Sequence, residues 1–244
     1  MSRFIWKASH AQRVKILDLY CCAGGASMGY YEQAKERHMA YEPQIIGVDK
    51  IYKKDYPFIF MKADVLELIR SMPLKWWRQF DLIHASPPCQ GYSSTAHLAR
   101  AQGKKVSEEL HVPLIRKHLK RVGVPYVIEN VEGAGLEGAT LCGSSFGLKV
   151  KRHRVFESNF PIPSSVCDHK KQGRPVGVYG SMNDNIPSGG KTAETLEEGQ
   201  EAMGIDWCGW ANLKEAIPPA YTKYVFSHYA SHRRMLALER RQSK

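Results

Sequence analysis

The stretch at residues 80–94, FDLIHASPPCQGYSS, places the tightest limits on how this chain can fold. Residues 80–85 have the apolar character of a buried strand, and Pro87 and Pro88 cannot continue a strand ladder because proline has no N–H to donate. Cys89 is therefore expected just beyond the carboxyl end of that strand, where open α/β sheets bind their ligands. Most free cysteines are simply small buried residues, so position alone leaves both interpretations of Cys89 open.

A second strand end carries a glycine-rich turn. Residues 14–17 form a β-prone run that ends at Asp18, and the following CCAGGASMGYYEQAKERH begins with small residues and ends with helix formers. Gly24 and Gly25 would let the backbone approach a ligand closely, and the start of the helix would offer unpaired N–H groups. A plain βα turn has the same pattern, so the turn alone does not establish a binding site.

Two further predicted strands end near acidic residues. Residues 44–48 end at Asp49, which is well placed to accept hydrogen bonds from ribose hydroxyls. Residues 58–61 precede Asp64 and a helix at 65–70, and Asp64 suits helix capping as well as ligand binding. The chain has neither GxGxxG nor a Walker lysine, which disfavours dinucleotides and nucleoside triphosphates. A nucleoside cofactor without a pyrophosphate, such as S-adenosylmethionine, is favoured instead.

The remaining pattern predicts an α/β fold with helices on both faces of a mostly parallel sheet. Residues 107–122 have helical apolar spacing with a basic face, and a strand at 126–128 ends at Glu129. A helix-like segment at 193–203 and a long helix at 219–238 close the chain. The polar stretch at 91–105 suits a mobile loop over the site.

The charge balance favours a polyanionic partner, because 35 Lys and Arg against 24 Asp and Glu give a formal net charge of +11. A basic surface that only confers solubility would give the same total. Local clusters at residues 116–121, 149–154 and 170–174 could follow phosphates. No apolar run approaches the roughly 18 residues of a membrane span, and the first residues lack the apolar core of a signal peptide. We therefore expect a soluble cytoplasmic protein.

The six cysteines form no CxxC pair, so their spacing indicates neither a disulfide scaffold nor a zinc ribbon. They are typical of thiols in a reducing cytoplasm. Cys167 and His169 could contribute to a metal site together with Cys142, Cys208 or His153. Nothing in the spacing requires such a site, and no metal is expected.

Taken in order, several motifs resemble those of the DNA cytosine-5 methyltransferases. DLYCCAGG, from Asp18, is similar to that family's cofactor motif DLFCGxGG, and SPPCQGYS, with Cys89, is similar to its catalytic PPCQxFS. ENV from Glu129, RHR at residues 152–154 and AIPP at residues 216–219 resemble the family's ENV, RxR and AVPP motifs. The resemblance extends from residue 14 to about residue 229, and it implies a Rossmann-like S-adenosylmethionine-dependent methyltransferase fold with a small irregular insert.

The resemblance implies a role for each catalytic residue. Cys89 would attack C6 of cytosine as a thiolate, which makes C5 enamine-like and able to accept a methyl group. Glu129 would act as the acid near N3 and Arg154 as the cation near O2, while Arg152 would serve either the site or the phosphate backbone. C6 is hidden in a stacked duplex, so the target base would have to be flipped out.

The same resemblance implies two sets of binding residues and their partners. Tyr20 would lie against S-adenosylmethionine, with Asp49 on its ribose hydroxyls and Asp64 near its adenine. The full cofactor set is Asp18, Tyr20, Cys21, Ala23, Gly24, Gly25, Asp49, Asp64 and Pro87. The expected nucleic-acid contacts are Gln90, Ser93, Lys104, Lys105, Lys151, Lys170, Lys171 and Arg174. The expected partner is DNA, bound by a monomer; whether a restriction endonuclease accompanies it in a restriction-modification system is left open.

Four features depart from the family pattern. Cys22 replaces a glycine of the cofactor motif, Val150 replaces a glutamine before the arginines, and Glu215 replaces an asparagine before AIPP. The chain is expected to divide into a core at 1–154, a short target-recognition insert at 155–192 and a segment at 193–244 that returns to the core. The insert is rich in Pro, Gly, Ser and basic residues, and its pattern suggests a compact basic loop with one hairpin and a strand at residues 175–179. A short insert predicts relaxed sequence preference, since few side chains reach base edges. These departures leave open a modified substrate, a weakened enzyme, transfer of another group, and DNA binding without methylation. RNA also stays open as the substrate, because the same chemistry would work on a single-stranded loop and a basic surface does not distinguish RNA from DNA.

Overall fold

A computed structural model describes residues 12–36, 41–89, 92, 110–186 and 190–242. Its main sheet has seven strands in the order β3-β2-β1-β4-β5-β7-β6. Five neighbouring strands, from β3 to β5, run parallel, and β7 is antiparallel to β5 and β6. The strands are β1 (Gln12–Leu19), β2 (Tyr41–Asp49), β3 (Ile59–Lys62), β4 (Leu82–Ala85), β5 (Tyr126–Asn130), β6 (Ala139–Leu141) and β7 (Arg154–Ser158).

The helices and a small hairpin complete the chain. The helices are α1 (Gly25–Glu36), α2 (Val65–Ser71), α3 (Leu74–Trp77), α4 (His111–Val122), α5 (His169–Gln172), α6 (Leu196–Met203), α7 (Trp210–Leu213) and α8 (Pro219–Gln242). Short 3-10 helices lie at Glu132–Ala134 and Gly143–Phe146, and β8 (Asn185–Ile186) pairs with β9 (Gly190–Lys191). Of the helices in the described ranges, none has both the length and the apolar character to cross a bilayer.

Alternate residues of β1 enter two different cores, which explains its nearly continuous apolar sequence. Val14 and Ile16 pack in a cluster with residues of α1 and α8, whereas Leu17 and Leu19 pack in another with residues of α2, α3 and α4. Helices therefore cover both faces of the sheet. The prediction of a mostly parallel Rossmann-like α/β fold is confirmed.

The insert, residues 155–192, differs most from its prediction. The strand suggested at residues 175–179 is wrong: the segment makes only an isolated bridge between Gly177 and Thr192. Pro175 has no N–H for a ladder, and Gly173 before it has a positive φ of 72°, so the chain turns instead of extending. The sheet also extends past the proposed boundary at residue 154, because β7 continues to Ser158. The division into three parts stays a prediction.

The predicted helices are observed with shifted ends, and the last of them, α8, runs to Gln242, beyond the predicted residue 238. Helix α4 begins at His111, and residues 107–109 lie outside the described residues. Helix α6 begins at Leu196 because the side chain of Thr195 accepts a hydrogen bond from the Glu198 N–H and caps it. The loop predicted at residues 91–105 lies outside the described residues except for Tyr92.

Candidate active site

A cavity of about 540 Å³ opens at the carboxyl ends of β1, β2, β4 and β5. Parallel strands place their carboxyl ends along one edge, and the connecting turns leave a crevice there. The cavity brings together most members of two predicted sets that are far apart in the sequence. The predicted residues on its wall are Asp18, Tyr20, Cys21, Gly25, Asp49, Asp64, Pro87, Cys89, Glu129, Arg152 and Arg154.

Asp18 is the most deeply buried acid on the cavity wall. Its Oδ2 accepts a hydrogen bond from the Ser27 hydroxyl, which also pairs with Tyr56, but its Oδ1 is buried without a hydrogen-bond partner in the described residues. Burial raises the pKa of Asp18 to about 7, the Ser27 hydrogen bond opposes this rise, and the charge of Asp49 adds to it. An unpaired buried carboxylate oxygen is costly, so this position suits a ligand that brings a hydrogen-bond donor.

Asp49 and Asp64 both hold backbone N–H groups. Asp49 accepts hydrogen bonds from the N–H of Cys22 at 3.2 Å and of Ile51 at 3.0 Å, so it joins the glycine turn to the end of β2. Asp64 caps α2 by accepting from the Leu66 N–H at 2.8 Å. The capping role allowed by the sequence is thus observed for Asp64, and its ligand contact stays a prediction.

Two predicted cofactor residues are not on the described wall of the cavity. The carbonyl of Ala23 accepts a hydrogen bond from Trp207 Nε1 at 2.8 Å, and Trp207 packs against the apolar cluster that contains Ala23. Gly24 has a φ of 82°, and a Cβ there would lie 2.8 Å from Pro57 and 2.9 Å from Tyr56. Both residues therefore shape the turn between β1, which contains Asp18, and α1, which begins at Gly25.

The nucleophile candidate is held from two sides. Cys89 is half-buried on the cavity wall, and its carbonyl accepts a hydrogen bond from the Tyr92 N–H at 2.9 Å. Asn130, at the end of β5, donates from Nδ2 to the carbonyl of Pro87 at 2.8 Å. This bond ties the double proline to the neighbouring strand. Asn130 was missing from the predicted site residues, although its place in ENV marked it.

Glu129 is almost completely buried, with 3% of its surface exposed, and its Oε1 lies 3.0 Å from Arg154 Nε. Burial raises the pKa of Glu129, while the charge of Arg154 and a hydrogen bond from Ser86 oppose this rise. A carboxyl group in such surroundings can hold a proton more readily than an exposed one. The cavity therefore joins a thiol, a protonatable acid and a cation.

A chain of buried polar groups continues behind Glu129. Ser86 Oγ lies 2.8 Å from His84 Nε2, and His84 Nδ1 lies 2.8 Å from the Tyr30 hydroxyl. Burial lowers the pKa of His84 to about 3, so the ring is neutral. With the Tyr30 hydroxyl donating to Nδ1 and Nε2–H donating to Ser86, the Ser86 hydroxyl is free to donate to Glu129. The sequence did not identify Tyr30 or His84, whose only signal is one histidine within an apolar strand.

Arg152, the first arginine of the RHR motif, connects three parts of the chain. The guanidinium of Arg152 donates to the carbonyl of Val178 at 3.1 Å and to that of Lys214 at 2.7 Å, so it joins the insert and the C-terminal segment to the site. Burial lowers the pKa of Arg152 to about 9, and repulsion from Arg154 adds to this. These bonds hold Arg152 at the cavity wall, and its role at the site or at the phosphate backbone stays a prediction.

Two of the departures from the family pattern touch each other. Cys22 Sγ lies 3.9 Å from Glu215 Oε2 and 3.6 Å from the carbonyl of Asn212, and burial raises the pKa of Cys22 to about 12. Val150 is buried away from the cavity wall, and its carbonyl accepts a hydrogen bond from Gln172 Nε2 at 2.8 Å. Cys22 and Glu215 therefore alter one edge of the cavity together.

Comparison with known proteins connects this architecture with solved structures. The S. pombe Dnmt2 methyltransferase matches with 15% identity and a TM-score of 0.55, over 88% of this chain and 98% of that one. The Entamoeba histolytica methyltransferase EhMeth matches with 14% identity and a TM-score of 0.56, over 91% and 99%. A mutant of Spodoptera frugiperda DNMT2 matches with 12% identity and a TM-score of 0.55, over 88% and 99%. The fold is a methyltransferase fold. No family model and no curated protein matches the sequence.

The predicted nucleic-acid contacts of this methyltransferase fold fall into two groups. One group is exposed at the surface, in or next to the insert, and comprises Lys151, Lys170, Lys171 and Arg174. The other group lies outside the described residues and comprises Gln90, Ser93, Lys104 and Lys105. The first group is available to a polyanion, and its binding role stays a prediction.

Proposed function

We propose that this protein transfers a methyl group from S-adenosylmethionine to C5 of cytosine in DNA, through a covalent adduct between Cys89 and C6. The observation that carries the proposal is the meeting of Cys89, Glu129 and Arg154 on one cavity wall. They come from the ends of β4 and β5 and from the start of β7. The motifs that resemble the cytosine-5 methyltransferases contain these same residues, and the methyltransferase fold is consistent with them.

The cofactor side of the cavity suits S-adenosylmethionine in size and chemistry. A volume of about 540 Å³ lies within the usual range of roughly 300–1,000 Å³ for small-molecule sites. The unpaired Oδ1 of Asp18 could accept from a donor on the ligand, and Asp49 lies at the strand end typical of ribose binding. When bound, S-adenosylmethionine supplies an electrophilic methyl group, whose bond to sulfur breaks as the bond to C5 forms.

The protein's own residues account for the other steps. The Cys89 thiolate forms a bond to C6, and the electrons displaced from the C5–C6 double bond move toward N3 and O2. Glu129 donates a proton to N3, and Arg154 stabilises the charge at O2. After C5 has accepted the methyl group, its proton leaves to solvent, N3 returns its proton to Glu129, and the C6–Sγ bond breaks. Both the thiolate and the aromatic ring are thereby restored.

Trapping of the adduct tests the proposal directly. Duplex DNA containing 5-fluorocytosine should form a stable complex with the protein in the presence of S-adenosylmethionine, since fluorine cannot leave C5 as a proton does. Cys89→Ser should form none, and Cys208→Ser, which changes a buried cysteine away from the cavity wall, should behave like the native protein. Absence of both an adduct and labelled 5-methylcytosine with the native protein would refute the proposal.

A parallel assay on DNA and RNA determines which nucleic acid is the substrate. Duplex DNA and transfer RNA of equal cytosine content are incubated with labelled cofactor, and the nucleosides are separated by mass spectrometry. Label in 5-methyldeoxycytidine supports DNA as the substrate. Label confined to 5-methylcytidine would make the protein an RNA methyltransferase with the same chemistry, because a basic surface does not distinguish the two polymers.

A further inference from the structure

Four residues at one corner of the sheet have the arrangement of metal ligands. The thiol sulfurs of Cys142 and Cys167 and a ring nitrogen from each of His153 and His169 all lie within 4.8 Å of one another. Cys142 Sγ lies 3.2 Å from His169 Nε2, and Cys167 Sγ lies 3.3 Å from His153 Nε2. Ligands of a tetrahedral zinc ion lie about 3.3–3.8 Å apart, given its bond lengths. We call these four residues the Cys–His corner.

The chain assembles this corner from three places. Cys142 follows β6, His153 immediately precedes β7, and Cys167 and His169 lie at the start of α5. Hydrogen bonds hold these places together: Ser165 Oγ accepts from the Cys142 N–H at 3.3 Å, and Ser144 Oγ accepts from the Asp168 N–H at 3.0 Å. The backbone positions are thus supported by bonds that do not involve the four ligand atoms.

We propose that the Cys–His corner binds one Zn²⁺ ion and fastens the insert to the arginines of the active site. Two thiolates and two imidazoles in tetrahedral reach are a donor set for zinc, whereas magnesium and calcium require oxygen ligands. Each thiol releases its proton to solvent as it binds, and each histidine binds through Nε2 as a neutral ring. Four protein ligands leave no open position, so the ion is structural rather than catalytic.

Groups around the corner support the ligands. Glu132 Oε2 lies 4.0 Å from His153 Nδ1, on the opposite side of the ring from the nitrogen that faces Cys167. The Ser144 hydroxyl lies 3.2 Å from Cys142 Sγ. A carboxylate hydrogen-bonded to a zinc-bound histidine fixes the orientation and tautomer of the ring, and such partners typically change metal affinity by about 10–100-fold. At 4.0 Å Glu132 is beyond hydrogen-bond distance, and a small movement of its exposed side chain toward Nδ1 would make this bond.

The corner acts on the active site through His153, which lies between the two arginines. Arg152 has a positive φ of 39°, a backbone conformation that a residue with a side chain rarely adopts, and it reaches the insert at Val178. Arg154 begins β7 and pairs with Glu129. A zinc ion on His153 would hold this turn in place and also hold Cys167 and His169 of the insert. The corner is therefore a positioning element, and its four residues are not among the described residues of the cavity wall.

Metal analysis of the full-length protein tests the site without any variant. The protein purified under reducing conditions should contain about one zinc per chain by plasma mass spectrometry. After removal of the metal, Co²⁺ should restore one equivalent and give the visible and thiolate charge-transfer bands of tetrahedral coordination. Folded, reduced protein without zinc and without cobalt bands would overturn the proposal, as would stoichiometric iron or copper instead of zinc, or a Cys142–Cys167 disulfide in the native protein.

Matched variants assign the ligands. Cys167→Ser and His169→Ala should each lose more than half of the bound zinc, whereas Cys208→Ser should keep it. Glu132→Gln should lower zinc affinity about tenfold in competition with a chromophoric chelator, and Glu137→Gln, an exposed neighbour, should not. Equal zinc loss in ligand and control variants would contradict the assignment. None of these measurements depends on methyl transfer, so the metal site and the proposed activity can fail separately.

Discussion

We call the part of the cavity wall with Asp18, Asp49 and Cys89 the strand-end side. It and the Cys–His corner belong to the same fold, but the chain positions their residues in different ways. Asp18 is the penultimate residue of β1, Asp49 is the last residue of β2, and Cys89 follows β4 within a few residues. Each is placed by the strand that carries it. The corner instead takes one ligand from the end of β6, one from the start of β7 and two from the insert, and no single element positions all four.

Local sequence pattern predicts a site at strand ends, but it does not predict a site assembled from several segments. A parallel strand delivers its last residue to a common edge, so a polar residue after an apolar run is already a positional signal. Ligands gathered from antiparallel strands and an irregular segment converge only when the hydrogen bonds between those segments form. The two regions should therefore respond differently to substitution.

Substitution of one cysteine in each region should give the largest effects, and these effects should differ between the two regions. Cys89→Ser should abolish methyl transfer and adduct formation while keeping about one zinc per chain. Cys167→Ser should lose the zinc and still form the adduct, at a reduced rate, since Cys89 is intact. Adduct yield on 5-fluorocytosine DNA and metal content, measured on the same preparations, check both halves. Loss of both properties in both variants would remove the distinction between the regions.

Glu129→Gln should reduce the turnover rate by about 10²–10⁴-fold, the usual contribution of a general acid, because an amide cannot protonate N3. Zinc content should not change, since Glu129 belongs to the cavity and not to the corner. Single-turnover kinetics at saturating DNA isolate the chemical step. A loss below about tenfold in folded protein would show that Glu129 is not the acid.

Asp18→Asn tests the buried acid of the strand-end side through the pH dependence of stability. The pKa of Asp18 is raised from 3.8 to about 7 by burial, so the folded state binds its proton more tightly than the unfolded chain. The contribution of Asp18 to the free energy of unfolding is therefore greatest below about pH 4. It falls by about 4 kcal/mol as the pH rises to about 7. Asparagine cannot ionise and should remove this loss. Urea unfolding from pH 4 to 8 should show the two curves diverging; parallel curves would contradict the prediction.

Substitution of the exposed lysines beside the corner should have the smallest effect, a change in nucleic-acid affinity. Replacing Lys170 and Lys171 together by alanine should weaken nucleic-acid binding by a similar factor for every sequence, because phosphate contacts carry no base information. The slope of log affinity against log salt should fall by about one for each phosphate that the variant no longer neutralises. Fluorescence anisotropy over a salt series measures this slope. Lys75→Ala, on an exposed residue of α3, is the control and should leave it unchanged.

The amino-acid pattern alone was enough to predict the alternating α/β order and the positions of Asp18, Asp49, Cys89 and Glu129 at or just after strand ends. These features are local: apolar periodicity defines the strands, and proline and glycine define where they end. The strand predicted at residues 175–179 forms only the bridge between Gly177 and Thr192, because Pro175 has no N–H for a ladder and Gly173 turns the chain before it.

Which residues meet across those elements became known from the three-dimensional structure. It brought Tyr30 and His84 behind Glu129, directed Arg152 to the carbonyls of Val178 and Lys214, and gathered the four residues of the Cys–His corner. These contacts join different segments of the chain. The sequence named the four corner residues as conceivable metal ligands, together with Cys208, but its spacing did not select among them. The physical reason is that side-chain convergence depends on how strands pair and helices pack, which local patterns alone do not specify.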